Sequence, residues 1–292
     1  MENAYKSVYN KHRRKPNDPG YIGDLKDLID FSTRFSLDER IIRLDTPTKL
    51  VNDELIHSFE GPVFGLKSHC GFLYVPQAIS DDLQTFLAYK AVTEFCESPN
   101  MTNIDSIPIK ENEINNSDED TMWSLWKKEN GFTGMNRDLD CNRSKRSKTD
   151  SIQKTRFYRS MDKLSWATSG YHYDWTARAY SEDRKSEVPS IMKYLGSYFS
   201  QLDEKYNKNE PIPNEKDDES KGFHAQASIV NYYSLKSIMG GHKDDLELDH
   251  SQPVISISIG LSAVFLLGGE SKTGEFYIHL YCICCEWDLI HS

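Results

Sequence analysis

An α+β fold, with helices first and a β-sandwich or jelly roll later, is what this sequence predicts, and three observations carry the prediction. Ile191, Tyr194, Leu195, Tyr198, Phe199 and Leu202 recur at helical spacing after Pro189 and Ser190. Ile255, Ile257 and Ile259 alternate with Ser256 and Ser258, as in a strand buried on one face. The change of period comes after an acidic, Pro-containing stretch at 203–220, which reads as a flexible loop and separates the helical part from the β part.

Residues 1–60 are polar with short apolar pieces such as Leu25, Leu28 and Ile29, and read as an extension carrying one or two helices. Gly61 and Pro62 punctuate the chain, and Val63–Leu66 and Gly71–Val75 then read as short strands. Ser80, Asp81 and Asp82 supply a capping hydroxyl and acids for a helix whose apolar face is Leu83, Phe86, Leu87 and Phe95. Residues 122–128 read as another short helix. Ala227–Tyr233 and Ala263–Leu267 read as strands, the second closing on the Gly268, Gly269 turn.

The 292 residues suffice for a sizeable core. With 45 acidic and 35 basic residues the formal charge is −10, which argues mildly against a nucleic-acid binder. The charge is uneven, though. Arg143–Lys163 holds eight Lys or Arg and two Asp, a local +6 dense enough to neutralise phosphates; a solvated loop has equal weight. Cys70, Cys96 and Cys141 are scattered, and Cys282, Cys284 and Cys285 crowd the last eleven residues. The first residues lack the apolar run of a secretory signal, and no stretch reaches the length of a membrane span, so the expectation is an intracellular, reducing setting with free thiols and no membrane partner.

The chemistry centres on His242 and Asp244. A His-x-Asp pair supplies two thirds of the 2-His-1-carboxylate face that holds non-haem Fe(II) with open positions. Alone the pattern is common and reads first as a surface ion pair. Its context is more specific. Asn231 and Tyr233, two apart on the expected strand, share a face and could hold a dicarboxylate. Gly240 and Gly241 let the backbone turn before His242.

The run from Asn231 through His242 and Asp244 to Gly269 resembles the AlkB family of Fe(II)/2-oxoglutarate dioxygenases. Lys163–Trp175, with its Tyr171, His172, Tyr173 motif, is similar to the eukaryotic branch closest to the bacterial members, which is linked to tRNA and DNA demethylation. The resemblance covers most of residues 5–273. It implies a double-stranded β-helix (jelly roll) core, here residues 221–274, preceded by an extension (1–60) and a substrate-covering region (61–220) and succeeded by an atypical tail (275–292). It implies Fe(II) on His242 and Asp244, 2-oxoglutarate at Asn231 and Tyr233, and O2 as co-substrate. Trp126, Trp166, Tyr171, His172, Tyr173 and Lys272 would contact substrate. Trp166, Tyr171 and Tyr173 would line a nucleobase pocket, where rings stack on an extruded base. Lys272 stands where bacterial members have an Arg, and Leu246 where they have a pocket Asp.

The resemblance implies oxidation of an N-methyl group, with loss of formaldehyde, in tRNA or DNA; a histone tail is a further candidate substrate. A monomer is expected, in the nucleus, mitochondrion or cytoplasm. After about Gly274 the match is expected to end. The family's distal His ligand and Arg pair would fall past Ser292, leaving a core that is incomplete at the C-terminus with open sheet edges, and little turnover. His279 and His291, 35 and 47 residues after Asp244, are not expected to substitute. The alternative reading is a non-catalytic nucleic-acid-binding isoform or a fragment.

Overall fold

A computed structural model describes residues 10, 28–30, 38–44, 62–105, 163–174, 179–208, 222–234, 237–244, 249–261, 263–268, 277–282 and 288–291. The expected helix at 122–128, Trp126, Lys272, Leu246, residues 143–162 of the basic segment and most of the acidic loop lie outside these residues. The chain divides into two compact units: residues 1–88, 190–225 and 233–292 form one, and 89–189 with 226–232 form the other.

The first unit is built on two sheets. Strands β1 (Leu28–Asp30), β2 (Ile41–Leu44), β3 (Val63–Leu66), β4 (His69–Pro76), β9 (Ile255–Ser258), β10 (Ala263–Gly268), β11 (Tyr277–Cys282) and β12 (Asp288–His291) belong to it. One sheet has the order β2-β3-β4-β12-β9, all antiparallel; the other has the order β1-β11-β10. Ile29 of β1 and Leu267 of β10 pack against Phe64, Leu66, Phe72 and Tyr74 of β3 and β4, so the two sheets bury one another's inner faces. Phe72, Leu73, Tyr74 and Val75 are all buried, which marks β4 as covered on both sides. A ring nitrogen of His69 donates to the Gly268 carbonyl at 3.3 Å and ties β4 to β10.

The structure corrects two expectations. Leu28 and Ile29 lie in a strand, not a helix: β1 runs parallel to β11, pairing Leu28 with His279 and Ile29 with Leu280. A short apolar run takes its secondary structure from the partner that buries it, and Ile29 is fully buried. The tail also does not leave the sheets without partners. β11 pairs with β10 along its whole length, and β12 inserts between β4 and β9. The tail's apolar pieces therefore pair into the sheets. His279 falls opposite Leu266 in one sheet and His291 opposite Ile255 in the other.

The helices match the sequence more closely. Helix α1 (Asp81–Thr93) starts where Ser80 caps it, its hydroxyl accepting from the Leu83 amide at 3.3 Å. Its buried stripe is Leu83, Gln84 and Leu87, whereas Phe86 points outward, 43% exposed. One hundred degrees per residue puts Phe86 on the far side of Leu83 from Gln84 and Leu87. Helix α2 (Ser190–Tyr206) buries Leu195, Tyr198, Phe199 and Leu202, as their spacing predicts. Among the described residues no helix is long and apolar enough to cross a membrane.

The second unit is organised by β6 (Trp166–Asp174). Its first half pairs with β5 (Met101–Thr102) and with β8 (Ala227–Asn231), and its second half with β7 (Ala179–Lys185), all antiparallel. Cys96, Ile104, Leu164 and Ala167 form its core with Tyr232 packed against them. Burial pushes the Cys96 thiol up to about 12, so it is an inert core group. Gly170 sits at φ +77°, and a Cβ there would lie 2.0 Å from the Gln226 carbonyl oxygen. Gly71 sits at φ +92° with open space around it. Gly170→Ala should therefore cost about 3 kcal/mol or more and Gly71→Ala only about 1 kcal/mol, read as the drop in thermal midpoint of each purified variant.

Candidate active site

The first unit holds the candidate metal pair. Ser234 and Ser237 close a turn after Tyr233, the Ser237 amide donating to the Ser234 carbonyl and the Ser234 amide to the Ser237 hydroxyl, each at 2.9 Å. Met239 comes next and accepts the Tyr233 hydroxyl on its sulfur at 3.6 Å. Residues 237–244 then run without regular structure, so His242 and Asp244 sit on a loop. His242 Nε2 stands 3.7 Å from Asp244 Oδ1, and both side chains are about half exposed. His242 Nδ1 donates to the Gly240 carbonyl at 2.9 Å. That bond orients the ring so that Nε2 faces Asp244. A Cβ at Gly240 would meet nothing, so Gly240 serves the site through its carbonyl, not through glycine's special freedom.

The pair suits a borderline divalent ion such as Fe(II). Two ligands at about 2.1 Å on a right angle stand about 3.0 Å apart, so a small rotation of either side chain closes the 3.7 Å gap. An imidazole nitrogen and a carboxylate oxygen are donors such an ion takes. Among the described residues no group of three or more His, Cys, Asp or Glu is assembled for a metal.

The second unit holds the aromatic residues. Asn103 sets the start of β6: its side-chain oxygen accepts from the amides of Ser165 at 2.7 Å and Trp166 at 3.2 Å, and its amide donates to the Lys163 carbonyl at 2.7 Å. Trp166 pairs with Asn231 across β6 and β8, so the two share a face. Thr168 and His172 also share a face, with the Thr168 hydroxyl 2.9 Å from His172 Nδ1. Tyr171 and Tyr173 project to the opposite side of the strand from His172. The motif is therefore split: His172 is buried and bonded to Thr168, while Tyr171 and Tyr173 are half-buried beside β7.

β8 ends at Asn231, which shortens the expected strand by two residues. The alternation that would put Asn231 and Tyr233 on one face stops there. Tyr232 leaves β8 inward, its hydroxyl donating to the Ala91 carbonyl at 2.5 Å, and its burial pushes the phenol well above its ordinary range. Tyr233 belongs to the first unit and is 60% exposed.

Sequence reasoning missed Tyr180 and Lys185. Tyr180 meets Tyr173 edge-on, ring centroids 5.5 Å apart at 69°. Lys185 Nζ lies 4.0 Å from the Tyr171 ring centroid. Ala179–Lys185 is mostly charged and lacks alternating apolar residues, so nothing but pairing with β6 marks it as a strand.

The first unit thus joins one antiparallel and one mixed sheet and carries the His-x-Asp pair on a loop. Residues 134–280 match the 2OG-Fe(II) oxygenase superfamily, a match that runs past Gly274 into β11. The human protein named Nucleic acid dioxygenase ALKBH1 is 28% identical over 291 residues, 94% of this chain and 64% of its own length. The Arabidopsis thaliana DNA N(6)-methyladenine demethylase ALKBH1A is 29% identical over 93% of this chain and 74% of its own. The Schizosaccharomyces pombe tRNA demethylase abh1 is 36% identical over 111 residues, 38% of this chain and 32% of its own. This chain belongs to the AlkB family of 2-oxoglutarate- and Fe(II)-dependent oxygenases, and it spans somewhat less than two thirds of the human relative's length.

Burial, with Arg184 adding to it, holds the His172 imidazole below its ordinary value of 6.5, and Asp105 opposes the shift. Below that value the unfolded chain takes up a proton that the folded chain refuses, so stability is full above it and falls as pH drops through it. The urea midpoint should decline from pH 7.5 to 5.5, and His172→Gln should flatten that decline; an unchanged slope would mean His172 titrates normally.

Proposed function

We propose that this chain acts in the oxidative removal of N-methyl groups from nucleobases in tRNA or DNA. The observation that carries the reading is the His242–Asp244 pair, with the imidazole oriented by the Gly240 carbonyl so that Nε2 faces a carboxylate. His242 and Asp244 would hold Fe(II), Asn231 and Tyr233 would contact 2-oxoglutarate, and the double-stranded β-helix would supply the frame. When bound, the iron with 2-oxoglutarate and O2 supplies oxidation of the N-methyl group to a hydroxymethyl that leaves as formaldehyde. The protein's own share is to orient. Asp244 brings a negative charge to the cation, and the Nδ1 bond keeps the imidazole from turning away. Tyr171, Tyr173 and Tyr180 offer faces and edges on which an extruded base can stack. The Arabidopsis relative's named substrate, N6-methyladenine in DNA, and the fission-yeast relative's, tRNA, are the substrates to try first.

A second reading is a nucleic-acid-binding module without turnover. It predicts oligonucleotide binding without release of formaldehyde.

The two readings separate in one assay. The 292-residue chain is incubated with Fe(II), 2-oxoglutarate and a single-stranded oligonucleotide carrying N6-methyladenine. Succinate and formaldehyde released in equal amounts, and lost in Asp244→Ala, are the expected result. Oligonucleotide binding with no formaldehyde would leave the binding module. Formaldehyde release that Asp244→Ala does not alter would overturn the assignment of the metal pair.

A further inference from the structure

The β6–β7 hairpin places a cation on its aromatic face. The strands pair Tyr171 with Lys185 and Tyr173 with Tyr180. The Lys185 ammonium lies 4.0 Å from the centre of the Tyr171 ring, within the range where the ring's quadrupole holds a cation. Tyr173 and Tyr180 meet edge-to-face next to it. Arg184 is the neighbouring residue, and its charge reaches His172 on the other side of β6, where it opposes protonation. Two adjacent cations therefore bias the field around this strand, in a chain whose formal charge is −10.

We propose that Lys185 makes this face selective for neutral methylated bases over cationic ones. The inference rests on the proposed function, in which these rings receive a nucleobase, and it names which bases. A methyl group on N1 of adenine or N3 of cytosine gives the ring system a positive charge at neutral pH. A methyl group on N6 of adenine leaves it neutral. A base stacked on the Tyr171 face opposite Lys185 would lie about 3.5 Å from that ring, hence about 7 to 8 Å from the ammonium. A cationic base there repels Lys185 and competes with it for one ring's quadrupole. A neutral base does neither. Lys185 is exposed, so solvent and salt reduce the repulsion, and the expected discrimination is roughly three- to tenfold at low ionic strength.

The test uses three single-stranded oligonucleotides of one sequence, carrying adenine, N6-methyladenine or N1-methyladenine at one position. Their dissociation constants are measured by fluorescence anisotropy with the full chain, Lys185→Ala and Lys185→Arg. The expected result is that the wild-type chain prefers the N6-methyl over the N1-methyl strand by roughly three- to tenfold. Lys185→Ala should bring that preference below about twofold, and Lys185→Arg should keep it, since charge and ring contact both survive. If Lys185→Ala weakens all three strands equally and lowers the salt slope by about one, Lys185 is a phosphate contact and the proposal is wrong. An unchanged N6-to-N1 ratio in Lys185→Ala overturns it as well. A wild-type chain that binds none of the three strands refutes the nucleic-acid reading itself, and this inference with it.

Discussion

Gly170 is the constraint on which the aromatic strand of the second unit depends. Its backbone takes a left-handed φ of +77°, and the Gln226 carbonyl occupies the space a side chain would need. That close approach lets the Tyr171 amide donate to Gln226 at 3.0 Å, while Gly170 and Ser186 exchange bonds on the other edge: the Ser186 amide to the Gly170 carbonyl, the Gly170 amide to the Ser186 hydroxyl. The Ser186 hydroxyl donates onward to Asn100 at 3.0 Å. β6 is thereby held on both edges at its midpoint. Beyond Gly170, side-chain alternation buries His172 against Thr168 and turns Tyr171 and Tyr173 toward β7. A backbone pinned by hydrogen bonds on both edges keeps ring positions defined where side-chain packing alone would be looser.

The metal pair is arranged differently. It has no strand beneath it; its order comes from one backbone bond, His242 Nδ1 to the Gly240 carbonyl, and from a serine-closed turn just upstream. Both side chains are half exposed, so solvent screens any interaction between them and pairing with one another does not hold them in place. An ion between them would organise the loop more than the loop organises it.

Legibility in the sequence divides along local against long-range cause. Ser80 as a cap, the buried stripe of α2 and the Ile/Ser alternation of β9 are readable because each is written within one element. The His-x-Asp spacing is readable for the same reason. β1 reads as helical in the sequence, because Leu28 and Ile29 become a strand only through residues some 250 positions later. The tail from Glu275 onward looks foreign to the fold, yet its short apolar pieces pair with β10, β4 and β9. Lys185 and Tyr180 carry no signal, because a charged strand has no periodic signature and is defined only by its neighbour. The split of Tyr171, His172 and Tyr173 between two faces is implicit in strand alternation, but it requires the strand itself to be recognised first.

The central claim is that His242 and Asp244 bind a divalent ion as a pair. The most direct measurement is an anaerobic calorimetric titration of Fe(II), or of Mn(II) as its air-stable substitute, into the purified chain with 2-oxoglutarate present. The wild-type chain should take up one equivalent, and His242→Ala and Asp244→Ala should each weaken that uptake at least tenfold, by roughly 1.4 kcal/mol or more. One equivalent bound with unchanged affinity in both variants would place the ion elsewhere and contradict the account.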